Sequence, residues 1–189
     1  HLTLPIVREL AKANDVWGLA RFSDPAQRTM LEELGVTCVK KDMARDSFDD
    51  LPTDFDHVFH AGAMVAMDSE KDMAYTFEVN VQGTGRLLEH CRNVKTFVHC
   101  STGSVYAPKP YPRKETDDYG TPIPAYSMSK MAAEQIVLYL AAQLREEGRL
   151  AALSGEKEEA IEAYRHYLAL RTSPEPSVAA EVEEVRKEL

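Results

Sequence analysis

Within a chain of 189 residues, the pentapeptide Tyr-Ser-Met-Ser-Lys at 126–130 sets a phenol and an ammonium four positions apart. On a helix, positions i and i+4 share a face, so Tyr126 and Lys130 are expected side by side. A free phenol with a pKa of ~10 is a poor base at neutral pH, and a neighbouring cation favours the phenolate. The pair is therefore a candidate general acid/base. Alone, the spacing is common on charged helices. Here it opens a predicted helix after a loop that carries Pro108, Pro110, Pro112, Pro122 and Pro124. That loop follows a predicted strand at 96–100 running into Ser101, Thr102, Gly103 and Ser104. Hydroxyls at the C-terminal end of a parallel strand lie where α/β sheets bind ligands.

The elements that must position these groups follow from periodicity. Residues 2–13 place Leu2, Ile6, Val7 and Leu10 on one helical stripe. Short apolar runs at 16–20, 36–39, 58–60 and 96–100 read as strands. Asp24 is the expected N-cap of a helix reaching Leu34 and stopping at Gly35, and residues 69–93 and 126–144 read as further helices. Strands alternating with helices, each strand nearly all apolar, predict a parallel sheet covered on both faces. From residue 143 onward no strand is expected; 156–170 and 177–189 read as amphipathic helices joined by the Thr-Ser-Pro-Glu-Pro segment at 172–176. The expected division is thus 1–142 and 143–189.

Composition removes several classes. A net charge of −9 argues against nucleic acid as a partner, because phosphate neutralisation needs clustered Lys and Arg. No run approaches the ~18 apolar residues of a membrane span, and no signal-peptide pattern opens the chain. Cys38, Cys91 and Cys100 form no CxxC pair, which points to reduced thiols in a cytoplasmic protein. His57, His60, His90 and His99 lack metal-ligand spacing, so hydrogen-bonded structural roles are expected and no metal.

At these motifs the chain resembles the extended short-chain dehydrogenase/reductase family, the NAD(P)-dependent sugar-nucleotide epimerases, dehydratases and related reductases. His-Ala-Gly-Ala at 60–63 is similar to the family's His-x-Ala-Ala turn, Asn-Val-Gln-Gly-Thr at 80–84 to its Asn-Val-x-Gly-Thr helix, and Ser-Thr-Gly-Ser-Val-Tyr at 101–106 to the segment bearing the catalytic hydroxyl. The resemblance implies an incomplete Rossmann-like fold over 1–142. Tyr126 would be the general acid/base, Lys130 would favour the phenolate and bind the nicotinamide ribose, and Thr102 would hydrogen-bond the reacting oxygen. Ser101 and Ser104 would face the substrate, a sugar nucleotide or related alcohol. Ala61, Gly62, Ala63, Asn80 and Asp42 would line the cofactor. Arg21 stands where NAD-preferring enzymes usually carry an acid; an arginine suits a 2′-phosphate, which favours NADP over NAD, although a solvated strand end explains Arg21 equally well. By the same resemblance the helices at 69–93 and 126–144 would form a homodimer interface.

The family pattern also places a strand and a Gly-x-x-Gly-x-x-Gly turn ahead of the helix that here begins at His1. The expectation is a fragment whose missing strand belongs in the middle of the sheet, leaving ladder groups exposed and lacking the helix-terminus pyrophosphate site. The C-terminal part resembles a tetratricopeptide repeat at Gly148, Gly155, Ala160, Tyr164 and Leu168, which would pack on the first part or on a protein partner. The blander reading is a plain helical hairpin. Two functions remain open at this point: a nicotinamide-dependent enzyme, or a non-catalytic interaction module in which a degenerate dinucleotide fold carries the helical pair. Thr102 and Ser101 could also merely finish a strand, and Asn80 and Asp42 could be ordinary helix and loop residues.

Overall fold

Capping fixes where the first elements begin and end. The computed structural model describes residues 3–114, 116–121, 123–170 and 178–189. Helix α1 spans Thr3–Leu10 and strand β1 Trp17–Ala20. Asp24 then accepts a hydrogen bond from the Ala26 N–H at 3.0 Å and starts helix α2, Pro25–Glu33. Proline at the first helical position loses no bond, since that N–H has no partner in any helix. Gly35, at φ +83°, ends the helix in the left-handed conformation that glycine adopts freely. Strand β2, Thr37–Lys40, pairs with β1 in parallel, Trp17 opposite Thr37 and Ala20 opposite Lys40. These elements make the first of two compact units, which ends at Ser47.

The second unit runs from Phe48 to Leu189. Strands β3, His57–His60, and β4, Thr96–His99, pair in parallel with His60 opposite His99. The helix expected at 69–93 is divided. Helix α3 covers Ala66–Ser69; Asp72 then turns the chain and caps helix α4, Met73–Phe77, by accepting from the Tyr75 N–H at 3.0 Å. A π-helical turn, Glu78–Gln82, leads into helix α5, Gly83–His90.

The strands expected in one sheet thus form two separate parallel pairs among the described residues, β1–β2 and β3–β4. Their covering is also thinner than expected. Neighbouring Phe59 and Val98 are 37% and 42% exposed, whereas Phe97 on the opposite face of β4 is 4% exposed.

Helix α6, Ala125–Ser154, runs unbroken through position 143. Its buried positions Lys130, Ala133, Val137, Ala141, Leu144 and Gly148 follow one helical stripe. Helix α7, Lys157–Leu170, folds back on α6 and also lies beside β4. Helix α8, Ala179–Glu188, completes a cluster of Ala141, Leu144, Tyr164, Tyr167, Val182 and Val185. Tyr167 is fully buried, and its hydroxyl donates to Glu181 Oε1 at 2.8 Å, which offsets the cost of burying a phenol. Within the second unit, the residues after 143 therefore pack on α6 and β4. The 172–176 linker, the helix start at Ser177, Leu2 and Pro122 lie outside the described residues.

Close approach of α6 and α7 requires glycine at 148, because a Cβ there would sit 2.5 Å from the Tyr164 ring. Alanine is the better helix former by about 1 kcal/mol, yet overpacking costs about 1–3 kcal/mol. Gly148→Ala is expected to lower the urea midpoint despite its helix propensity. Adding Tyr164→Leu should recover the loss, and a stabilised single variant would contradict this packing.

Candidate functional site

The ends of β3 and β4 bring two of the motif segments together. The Cys100 N–H donates to the His60 carbonyl at 2.9 Å, so residues 61–64 and 100–104 leave the same end of the pair. That end is the C-terminal one, where parallel sheets place their ligands.

A loop arch returns the chain to this end. Beyond Val105 the Gly120 N–H donates to the Val105 carbonyl and the Ala107 N–H to the Asp118 carbonyl, each at 2.9 Å. The Tyr106 and Tyr119 rings stack across the arch at 5.8 Å, and Lys109 bonds Asp117 at 2.6 Å. The prolines keep this stretch out of regular structure, and α6 begins just beyond it. Glu70 accepts from the Ala125 N–H at 2.7 Å, satisfying one orphan donor of the first turn of α6.

The first turn of α6 meets the strand-end hydroxyls. Thr102 Oγ1 lies 2.9 Å from Ser104 Oγ, and Ser104 Oγ lies 2.7 Å from Ser127 Oγ. Ser127 is the residue next to Tyr126 and is only 1% exposed. Tyr126 is half-buried and Ser101 is exposed.

Asn80 makes the other connection. Fully buried, its Oδ1 accepts from the Met64 N–H at 2.7 Å, while Nδ2 donates to the Met64 carbonyl at 3.3 Å and to Ser129 Oγ at 2.8 Å. Ser129 in turn donates to the Tyr126 carbonyl at 2.8 Å. Both amide protons of Asn80 are thus engaged within the protein, joining the loop after Ala61, Gly62 and Ala63 to the turn bearing Tyr126. Sequence reasoning took only Tyr126 and Lys130 from their pentapeptide and missed Ser127 and Ser129. The signal was there: Lys130 falls on a stripe of small and apolar residues, which turns the serines beside it inward.

Lys130 is 2% exposed. Burial lowers its pKa, opposed by Cys100 and Glu134. Among the described residues no carboxylate lies within ion-pair distance of its ammonium. Behind it His60 and His99 face each other, ring centroids 5.3 Å apart. His60 Nε2 bonds Thr84 Oγ1 at 2.9 Å. His99 departs from the expectation of a hydrogen-bonded structural histidine, since neither ring nitrogen has a partner among the described residues. His90, by contrast, bonds the Pro52 carbonyl at 3.1 Å.

In the first unit, Arg21 and Asp42 follow β1 and β2 at one end of their pair, where the Lys41 N–H donates to the Ala20 carbonyl at 3.0 Å. Phe22 takes φ 45°, an uncommon conformation for a large side chain, immediately after the exposed Arg21. Asp42 Oδ1 accepts from the Ala44 N–H at 2.8 Å, so one carboxylate oxygen serves its own turn.

Elsewhere in the second unit, a cavity of about 280 Å³ lies among α5, α6 and α7, lined by Leu88, Cys91, Tyr139, Leu144 and His166. None of the motif residues lines it. Among the described residues no group of His, Cys, Asp and Glu is arranged to hold a metal, and no helix is long and apolar enough to cross a membrane.

Comparison with known proteins gives a consistent result. The model of the NAD dependent epimerase/dehydratase family matches residues 5–163. Among solved structures, the chain is similar to UDP-glucuronic acid 4-epimerase from Bacillus cereus, in complex with UDP-glucuronic acid and NAD. The identity is 24% and the TM-score 0.59, covering 71% of this chain and 47% of that one. It is similar to Pal from Bacillus thuringiensis at 28% identity and TM-score 0.60, covering 72% and 47%. It also resembles UDP-N-acetylglucosamine 4-epimerase from Methanobrevibacter ruminantium, in complex with UDP-N-acetylmuramic acid, at 24% and 0.61, covering 72% and 45%. The chain spans about half the length of the solved structures it matches. The comparison with curated proteins finds no match.

The buried histidines give the fold a pH dependence. Burial, with the Lys130 charge, depresses His99 to about 4; burial, with His99 and Lys130, depresses His60 to about 3. Both lie below the unfolded value of about 6.5. Between about pH 6.5 and 4 the unfolded chain takes up protons that the folded chain refuses, so stability is full above 6.5 and falls as pH drops. Each pKa unit of separation corresponds to about 1.4 kcal/mol. Urea unfolding of His99→Phe is expected to show a shallower loss between pH 6 and 4.5 than the parent; an identical slope would contradict the assignment.

Proposed function

Because this chain belongs to the NAD dependent epimerase/dehydratase family, we propose that it carries the hydride-transfer site of an oxidoreductase acting on a sugar nucleotide or related alcohol. The observation that carries this reading is the meeting of three segments at one end of β3–β4: the Ser104 hydroxyl, itself bonded to Thr102, reaches the turn bearing Tyr126, and Asn80 fastens that turn to the loop after β3.

A nicotinamide dinucleotide fits the residues present. Lys130 offers a buried ammonium that no carboxylate among the described residues reaches at ion-pair distance, suited to donating hydrogen bonds to ribose hydroxyls. Ala61, Gly62 and Ala63 leave backbone close to the strand ends. When bound, the dinucleotide supplies the acceptor for the hydride that leaves the carbinol carbon. Tyr126 Oη takes the hydroxyl proton as that carbon is oxidised and returns it in the reverse direction. Thr102 Oγ1 hydrogen-bonds the same oxygen. Lys130 holds the ribose, and its charge favours the phenolate.

NAD is the form proposed, since the UDP-glucuronic acid 4-epimerase from Bacillus cereus and MoeE5, to which the chain is similar, are complexes with NAD; the Arg21 argument for NADP has no support from them. Asn80, with its amide engaged by Met64 and Ser129, acts in this reading by holding the loop and not by touching the cofactor.

A second reading, the non-catalytic interaction module, draws on the other end of α6. The Gly148–Tyr164 contact supports a tetratricopeptide-like pair, and Leu150 and Leu153 are 51% and 73% exposed there. The proposed homodimer face on α4 and α6 draws on exposed Met73 and Tyr139.

Calorimetric titration of the full chain with NAD separates these. Saturable binding is expected, and Tyr126→Phe should lower turnover of a UDP-sugar by about a hundredfold or more while binding is kept. Absence of binding by a folded chain favours the interaction module. A Tyr126→Phe variant as fast as the parent removes Tyr126 as the base.

A further inference from the structure

The three-hydroxyl chain holds more than Thr102 alone needs. A threonine finishing a strand commonly accepts a hydrogen bond from a nearby backbone N–H, and Thr102 does so, its Oγ1 receiving the Ser104 N–H at 3.3 Å. That local motif does not account for Ser127. Its hydroxyl sits on another element, is 1% exposed, and meets Ser104 Oγ at 2.7 Å, a short O–H···O distance. Burying a hydroxyl is costly unless it is bonded, and here the bond is made to the residue that touches Thr102.

Either oxygen of each hydroxyl pair can be the donor, and the direction that frees the Thr102 proton runs from Ser127 through Ser104 to Thr102. Each hydroxyl has one proton to give and two lone pairs to receive. If Ser127 donates to Ser104 and Ser104 donates to Thr102, Thr102 Oγ1 accepts twice, once from the Ser104 N–H and once from the Ser104 O–H. Both lone pairs are then occupied, and its own proton must point out of the chain. Successive hydrogen bonds polarise one another, which makes the terminal hydroxyl a better donor.

We propose that Ser104 and Ser127 are positioning residues that hold the Thr102 hydroxyl with its proton directed at the reacting oxygen. This rests on the reading of Thr102 as the hydroxyl that meets that oxygen, and it moves Ser104 from substrate contact to support. No proton leaves the chain; only the orientation of one hydroxyl is set.

The test reads Thr102 directly, without turnover. In the full chain, three-bond couplings to the Thr102 methyl group report its χ1 rotamer by NMR. The parent is expected to show a single rotamer, Ser127→Ala an averaged one, and Ser127→Thr, which keeps the hydroxyl, the single rotamer again. Should Ser127→Ala fail to fold, Ser104→Ala at the half-buried middle position is expected to give the same averaging. A single, unchanged Thr102 rotamer in the folded alanine variant overturns the proposal. The underlying reading is tested separately with NAD and a UDP-sugar: Thr102→Val should lower kcat by about tenfold or more with KM little changed, the loss of one charge-stabilising hydrogen bond. An unchanged kcat in Thr102→Val rejects the role of Thr102 whatever the rotamer result.

Discussion

One buried amide holds the second unit's motif segments in register. Asn80 gives both of its protons and at least one lone pair to groups inside the protein: the two backbone groups of Met64 and the hydroxyl of Ser129. Leaving any of these unpaired in the interior would cost about 1–3 kcal/mol each, so the loop after β3 and the first turn of α6 are fastened to each other through a helix that belongs to neither. The π-helical turn at Glu78–Gln82 contains Asn80, and such turns often occur at functional sites. Thr84, one turn on, donates to the Asn80 carbonyl at 2.6 Å and meets His60 at 2.9 Å, carrying the same tie down to β3.

Helix α6 links that tie to the rest of the unit. Its first two turns carry Tyr126, Ser127, Ser129 and Lys130, and its far end packs on α7 and α8. A thirty-residue helix is about 45 Å long at 1.5 Å per residue, so one rigid element spans the candidate site and the helical cluster. The stretch after residue 143 is thereby part of the scaffold that orients the first turn. Helix α7 also lies beside β4, so the helical cluster and the strand pair share a boundary.

Much of this was legible in the residues. All four strands, the Asp24 cap and the Gly35 stop follow from apolar runs and capping chemistry that depend on neighbours within a few positions. The spacing of Tyr126 and Lys130 is local in the same way, whereas the expectation for Thr102 came from the family resemblance alone. What local patterning could not supply was pairing: that β1–β2 and β3–β4 form separate ladders is a matter of which backbone groups meet, and short apolar runs do not encode it. Asn80 shows the limit on the site side. A polar residue on a helix reads as a cofactor contact or a tolerated surface group, and only long-range geometry reveals that Met64 and Ser129 already use its amide. The length of α6 was hidden by the change of composition after residue 143; Gly148, expected in a helical pair, lies within α6 where a Cβ would sit 2.5 Å from the Tyr164 ring.

In the proposed function, residues 61–64, 100–104 and 126–130 form one ligand-binding end. Backbone amide NMR of the full chain during titration with NAD tests it most directly. The account predicts that the shift changes in the second unit cluster in those three segments and spare the cavity lined by Leu88, Tyr139 and His166. Changes centred on that cavity, or on only one of the three segments, would contradict it.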